Sequence, residues 1–157
     1  MKGDPAIIEL LNRVLCKELT GINQYFIHAK MSKNWGYAAK AKHDWDESID
    51  EMKHADKVIE RILFLEGIPN MSKYDTIRVG GTVREQLAND LKLEVKAVEN
   101  LREGISLCLE KKDHVTRELL EHIMAEEEEH VDWLETQLEL IETIGYELYL
   151  SKLMDPE

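Results

Sequence analysis

The chain has 157 residues, of which 33% are charged and 43% hydrophobic, with only 3 prolines and 8 glycines. That balance suits one soluble helical domain with a substantial core. With 32 acidic against 20 basic residues, the formal net charge is -12, which argues against nucleic acid or an anionic membrane as partner and suits attraction of cations.

Asp4-Pro5 reads as a helix start, a capping carboxylate followed by proline at the first helical position. Leu11, Leu15, Glu18, Ile22, Tyr25 and Ala29 then recur at four-three spacing, the stripe of a bundle helix over about 5–34. Gly21 interrupts this helix at a cost of about 1 kcal/mol relative to alanine, and nothing in the sequence explains it. A second helix is expected over about 38–66, with Glu51, Ala55, Val58, Ile62 and Leu65 on its stripe and Gly67-Ile68-Pro69-Asn70 as its stop. Residues 67–82 hold no steady period and suit a long crossover along the bundle.

Thr82-Val83-Arg84-Glu85 has the form of a capping box and opens a third helix over about 83–111, with Leu87, Leu91, Glu94, Val98, Leu101, Ile105 and Cys108 as its stripe. Asp113 caps a fourth helix over about 114–144, carrying Leu120, Ile123, Glu127, Val131, Leu134, Leu138 and Ile141. Gly145 ends it and leaves a short fifth helix over about 146–154. The fold class is all-α: a four-helix bundle, each long helix roughly 40 Å in length, with the crossover between helices two and three.

Each stripe is interrupted once by a glutamate: Glu18, Glu51, Glu94 and Glu127. Glu51-Met52-Lys53-His54 and Glu127-Glu128-Glu129-His130 each put a carboxylate and an imidazole one helical turn apart on one face. Displacing the chain by 76 residues lays Glu18 on Glu94, Glu51 on Glu127 and His54 on His130, so the chain is a weak repeat of a helix pair. Four converging buried carboxylates cannot all stay charged without cations; without metal, protons would bind instead. Two divalent ions match the four charges, and the oxygen-plus-imidazole donor set suits iron or manganese, and also zinc. A bundle whose acids hold adventitious cations is the non-enzymatic alternative.

One glutamate on each of two helices and Glu-x-x-His on the other two resembles the ferritin-like di-iron carboxylate proteins. More narrowly, the opening Met1-Lys2-Gly3-Asp4, the run Glu18 to His28, the run Glu47 to Asp56, Arg61 to Gly67, and Asp132-Trp133-Leu134-Glu135-Thr136 resemble a bacterioferritin over nearly the whole length. That resemblance implies a ferritin-like fold and a ferroxidase centre with two iron ions per subunit. Glu18 and His54 would hold one iron and Glu94 and His130 the other, with Glu51 and Glu127 bridging. Fe(II) would be oxidised by O2 or H2O2 and stored as ferric mineral in a cytoplasmic homo-oligomer, a shell of 24 subunits built from two-fold dimers. Met52 would supply an axial ligand to a haem b shared between two subunits, walled by Ile22, Asn23, Phe26, Ile49 and Ile59. A ferredoxin-like donor would return electrons for iron release. The catalytic alternative is a di-iron oxidase that removes O2 or peroxide and stores little.

Tyr25, seven residues after Glu18, is placed to hydrogen-bond a ligand or donate an electron, or to serve as a core tyrosine. Asp50 and Glu126, each just before a bridging glutamate, are candidate partners of the histidines; solvated acids are the alternative. Two positions depart from the family. Asp46 stands where some relatives carry a histidine for an inner-surface iron site, leaving His43 and Asp46 as a different candidate pair, and Asn34 replaces an acid that often lines a shell pore. Cys16 and Cys108 form no Cys-x-x-Cys and suit a reducing compartment. No run has transmembrane length, and the N-terminus carries no apolar signal core.

Overall fold

The computed structural model describes residues 1–155 and contains five helices: α1 Pro5–Asn34, α2 Ala38–Phe64, α3 Val83–Lys111, α4 His114–Ile144 and α5 Tyr146–Lys152. Among the described residues there is no strand, and no helix is long and apolar enough to cross a membrane. Asp4 caps α1 by accepting the amide of Ala6 at 2.8 Å, and Asp113 caps α4 by accepting that of Thr116 at 3.0 Å. At the third helix Thr82 accepts the amide of Glu85, while the Glu85 carboxylate reaches back to Gly81, one residue before the cap.

Two helix ends fall short of expectation. α5 stops at Lys152, with Leu153 as its cap. α2 stops at Phe64 because Glu66, not Gly67, takes the left-handed conformation, at φ 63°. The Glu66 amide then bonds the Leu63 carbonyl and that of Gly67 the Ile62 carbonyl, which closes the last turn. Gly67 is needed for room instead: a Cβ there would lie 2.7 Å from Ile8 Cγ2.

α1 packs most extensively on α2, and α3 on α4, so the bundle is two helical hairpins laid together. The crossover between them lies along α1. Backbone amides of Asp75, Arg78 and Gly80 donate to Thr20 Oγ1, Gln24 Oε1 and His28 Nε2, three side chains spaced four residues apart. Two apolar clusters fill the bundle. One joins Leu11, Leu15, Val58, Ile62, Leu101 and Leu120; the other joins Val83, Leu87, Leu134, Ile141 and Tyr149. Glu18, Glu51, Glu94 and Glu127 fall between these clusters along their helices.

Much of the core around α1 is polar. Lys40 is buried and bonds Asp44 at 2.6 Å and Gln86 at 2.6 Å, while His28 Nδ1 faces Asp90 at 3.0 Å. Lys40 is thereby satisfied by hydrogen bonds, as low-dielectric surroundings require, and His28 is paired with Asp90 by charge.

Candidate metal centre

All four stripe glutamates are buried, none more than 1% exposed. Nitrogen and oxygen atoms of Glu18, Glu51, His54 and Glu127 come within 4.8 Å of one another, as do those of Glu51, Glu94, Glu127 and His130. The two clusters share Glu51 and Glu127. Each imidazole turns Nδ1 toward the shared acids: His54 Nδ1 lies 3.3 Å from Glu127 Oε1 and 3.4 Å from Glu18 Oε2, and His130 Nδ1 lies 3.3 Å from Glu94 Oε2 and 3.6 Å from Glu127 Oε1.

The far nitrogens are held from outside. His54 Nε2 contacts Glu126, as expected of that residue, but His130 Nε2 faces Glu47 at 2.8 Å instead of Asp50. The reason is helical geometry. Glu47 lies one turn before Glu51 on the same face, whereas Asp50 is rotated about 100° away. Asp50 stays nearby, in a third acidic group with Glu47 and His130. A carboxylate on the outer nitrogen fixes the ring and makes the inner nitrogen a better ligand.

Tyr25 is fully buried and donates its hydroxyl to Glu94 Oε1 at 3.2 Å. Burial first, and then Glu94, push its phenol well above the usual range. Gly21 also has its explanation here: a Cβ at this position would sit 2.7 Å from Glu51 Oε2. His43 stacks on Trp133 with ring centroids 3.5 Å apart, and Asp46 pairs with Lys42 at 2.7 Å; among the described residues they share no candidate cation cluster. Met52 points outward and is 51% exposed, on a face with half-exposed Phe26 and partly buried Ile22, Asn23, Ile49 and Ile59. Cys16 and Cys108 are buried free thiols, and Asn34 is exposed at the end of α1.

One residue corrects the charge arithmetic of the sequence. Lys17, 3% exposed, places its ammonium 2.7 Å from Glu51 Oε2, 3.4 Å from Glu94 Oε1 and against Glu127 Oε2. A fifth charge therefore belongs to the site. Burial opposes the Lys17 charge, but Glu127, Glu18, Glu51 and Glu94 outweigh it and hold the ammonium firmly protonated.

The remaining balance is made by protons. Burial would depress His54, yet Glu127 and Glu18 raise it to about 11; burial likewise opposes His130, which Glu47 and Glu94 raise to about 10. Burial, only partly offset by Lys17, lifts Glu94 to about 8 and carries Glu51 well above the carboxylate range with help from Glu127. Burial would raise Glu127 too, but Lys17 overrides it and keeps that residue ionised.

A divalent metal suits the groups that remain. Both oxygens of Glu18, Oε1 of Glu51, Oε1 of Glu127 and Nδ1 of His54 are buried without a well-directed hydrogen bond. Buried polar atoms of this kind are rare unless something else binds them. Oxygen and imidazole donors without thiolate suit iron or manganese, and also zinc.

A helical bundle with one glutamate on each of two helices and Glu-x-x-His on the other two defines a ferritin-like carboxylate protein, and residues 8–144 match the ferritin-like domain family. Bacterioferritin BfrA of Mycobacterium tuberculosis is 50% identical over 152 residues, 97% of this chain and 96% of its own length. The bacterioferritin of Streptomyces coelicolor is 46% identical over 99% of this chain and 93% of its own, and that of Brucella melitensis 45% identical over 95% and 92%. The chain belongs to the bacterioferritin family.

Proposed function

We propose that this chain is an iron-storage subunit that oxidises Fe(II) at its buried carboxylate centre and passes the ferric product to a mineral store. The observation that carries this reading is the pair of four-residue clusters joined through Glu51 and Glu127, with acceptors left open inside them. Fe(II) is the substrate. Two ferrous ions side by side supply one electron each, two in all, which with two protons take O2 to H2O2 or H2O2 to two waters.

The residues of the chain do the rest. Glu18 and His54 bind one iron and Glu94 and His130 the other, with the shared acids between them. Glu126 and Glu47 keep Nδ1 of each imidazole aimed inward. Iron entry drives protons from His54, His130 and Glu94, because each holds one at neutral pH. Tyr25 keeps a hydroxyl on Glu94, where it can steady a shifting carboxylate or give up an electron.

The outer face around Met52 suits a two-fold contact: its thioether is accessible, and the same helix pair exposes Phe26 and Trp45, whose ring centroids lie 5.7 Å apart. A symmetry-related Met52 facing it would complete a pair of thioether ligands for a haem b. Assembly into a 24-subunit cytoplasmic shell, and release of iron by a ferredoxin-like donor, belong to the same reading.

The test is to add two Fe(II) per chain to metal-free protein under anaerobic conditions, admit O2, and follow ferric absorbance. Fast oxidation at two irons per chain, lost in Glu51→Ala/Glu127→Ala, supports the centre. Equal, slow oxidation in both refutes it, and further additions of several hundred irons per shell separate storage from simple oxidant removal.

A further inference from the structure

Lysine is among the residues least often buried, and a buried ammonium needs strong partners. Lys17 has them, and their arrangement divides the centre. Its ammonium takes Oε2 of Glu51 and Oε2 of Glu127, with Glu94 Oε1 at 3.4 Å and Glu18 Oε2 farther off at 4.0 Å. The other oxygens of the shared acids, Oε1 of each, face the imidazoles without a well-directed hydrogen bond: Glu127 Oε1 lies 3.3 and 3.6 Å from Nδ1 of His54 and His130, and Glu51 Oε1 lies 4.0 and 3.8 Å from the same atoms. A carboxylate that bridges two metals through both its oxygens gives one to each. While Lys17 stays, each shared acid has one oxygen to give.

We infer that Lys17 is a tethered cation that occupies half of the centre in the metal-free chain, so that one divalent ion binds beside it and a second binds only by displacing it. Charge points the same way. Four carboxylates face three positive charges when one divalent ion joins Lys17, but five when two ions do. Withdrawal of the ammonium restores balance. The space beside the lysine stem is a cavity of about 10 Å³ between α1 and α3, lined by Val14, Ala97, Asn100 and Leu101. That is room for about one water, so the ammonium cannot retire there and must travel further. Asn100 also borders the open cleft of about 820 Å³ against the crossover, which gives the side chain a way out of the core. Lys17 in this role sets metal stoichiometry: it keeps a lone divalent ion from being joined by another until supply is high.

This rests on the two-metal reading above, and the test separates the two. Metal-free full-length protein is titrated with Co(II), read by visible absorption and equilibrium dialysis, beside Lys17→Met. The wild type should fill in two steps, the second at least tenfold weaker, and Lys17→Met should bring the steps together by tightening the second. Melting gives a second readout: the substitution strips the Oε2 oxygens of their partner, so it should lower the midpoint of the metal-free protein and not that of the cobalt-loaded one. If Lys17→Met does not fold, Lys17→Gln serves, and the wild-type titration alone still decides between one step and two. A single two-ion step in the wild type, or two steps unchanged by the substitution, overturns the proposal. Absence of cobalt binding in both proteins takes down the two-metal reading and the proposal with it.

Discussion

Replacing Gly21 with alanine sets two effects of known size against each other. Alanine in mid-helix is favoured by about 1 kcal/mol, which for a chain of this length is roughly 2–4 °C in melting temperature. Against that gain, the new Cβ would stand 2.7 Å from Glu51 Oε2 and 3.2 Å from two further atoms of the same side chain, where ordinary contact begins near 3.4 Å. Oε2 must retreat by about 0.7 Å, and Glu51 has no exposed surface into which to move. The retreat also strains the 2.7 Å bond to Lys17. Misplacement of a reacting group by about 1 Å can cost a hundredfold in rate, so Gly21→Ala should slow oxidation of the first two irons per chain by tenfold or more. The melting temperature of the metal-free protein should rise by less than the propensity gain, or fall. Stopped-flow ferric absorbance and calorimetry measure both. A variant that gains the full few degrees and oxidises iron at the wild-type rate would show that Glu51 has slack to spare, and the packing argument for Gly21 would be wrong.

Three further outcomes are expected. Metal-free protein should lose stability as pH rises from about 5 to about 11, because His54, His130 and Glu94 have folded pKa values raised to about 11, about 10 and about 8, above their unfolded ones. For each, stability is fully present below the unfolded pKa and is lost as pH rises through the folded one; metal-loaded protein should trend the other way, since metals need deprotonated ligands. A melting series at fixed salt, with and without Co(II), checks the sign, and a metal-free midpoint that rises with pH would contradict it. Glu47→Ala and Glu126→Ala should each weaken cobalt affinity by about 10–100-fold by freeing one imidazole to rotate, whereas Asp50→Ala should have a smaller effect; equal losses at all three would leave only a general charge effect. Tyr25→Phe should leave cobalt stoichiometry intact, cost about 1 kcal/mol of stability and slow the first oxidation turnover by about tenfold; an unchanged rate would make Tyr25 an ordinary core residue.

What could be read from the sequence was what depends on position along one helix. The Glu-x-x-His pairs are local, and the displacement of 76 residues ties each to a single glutamate without knowledge of packing. The crossover was legible because it breaks period. Lys17 and Glu47 were not. α1 packs against both α2 and α3, so it buries a second row beside the first: Val14, Lys17, Gly21, Gln24 and His28. A polar row with one glycine looks like a solvated face until the second neighbour is known. Glu47 repeats the spacing of Glu51 by one turn, a signal that was present but carried no weight beside so many other acids. Sequence places the end of α2 two residues late because glycine after a helix usually supplies the left-handed residue; here Glu66 does, and Gly67 answers to the crowding of Ile8.

The division into two hairpins has a consequence for how the protein breathes. Glu18, Glu51 and His54 come from one hairpin and Glu94, Glu127 and His130 from the other, so neither half holds a complete set of ligands. Any excursion that parts the hairpins also dismantles the centre, and bound ions oppose that excursion by the logarithm of their excess over the dissociation constant. At a hundredfold excess this is about 2.7 kcal/mol, which would slow by about a hundredfold the hydrogen exchange of amides that open only when the hairpins separate. Without metal, the same seam is held by the ammonium of Lys17, which reaches from the first hairpin to Glu94 and Glu127 in the second. Metal occupancy of the centre then governs how often the two halves of the bundle come apart.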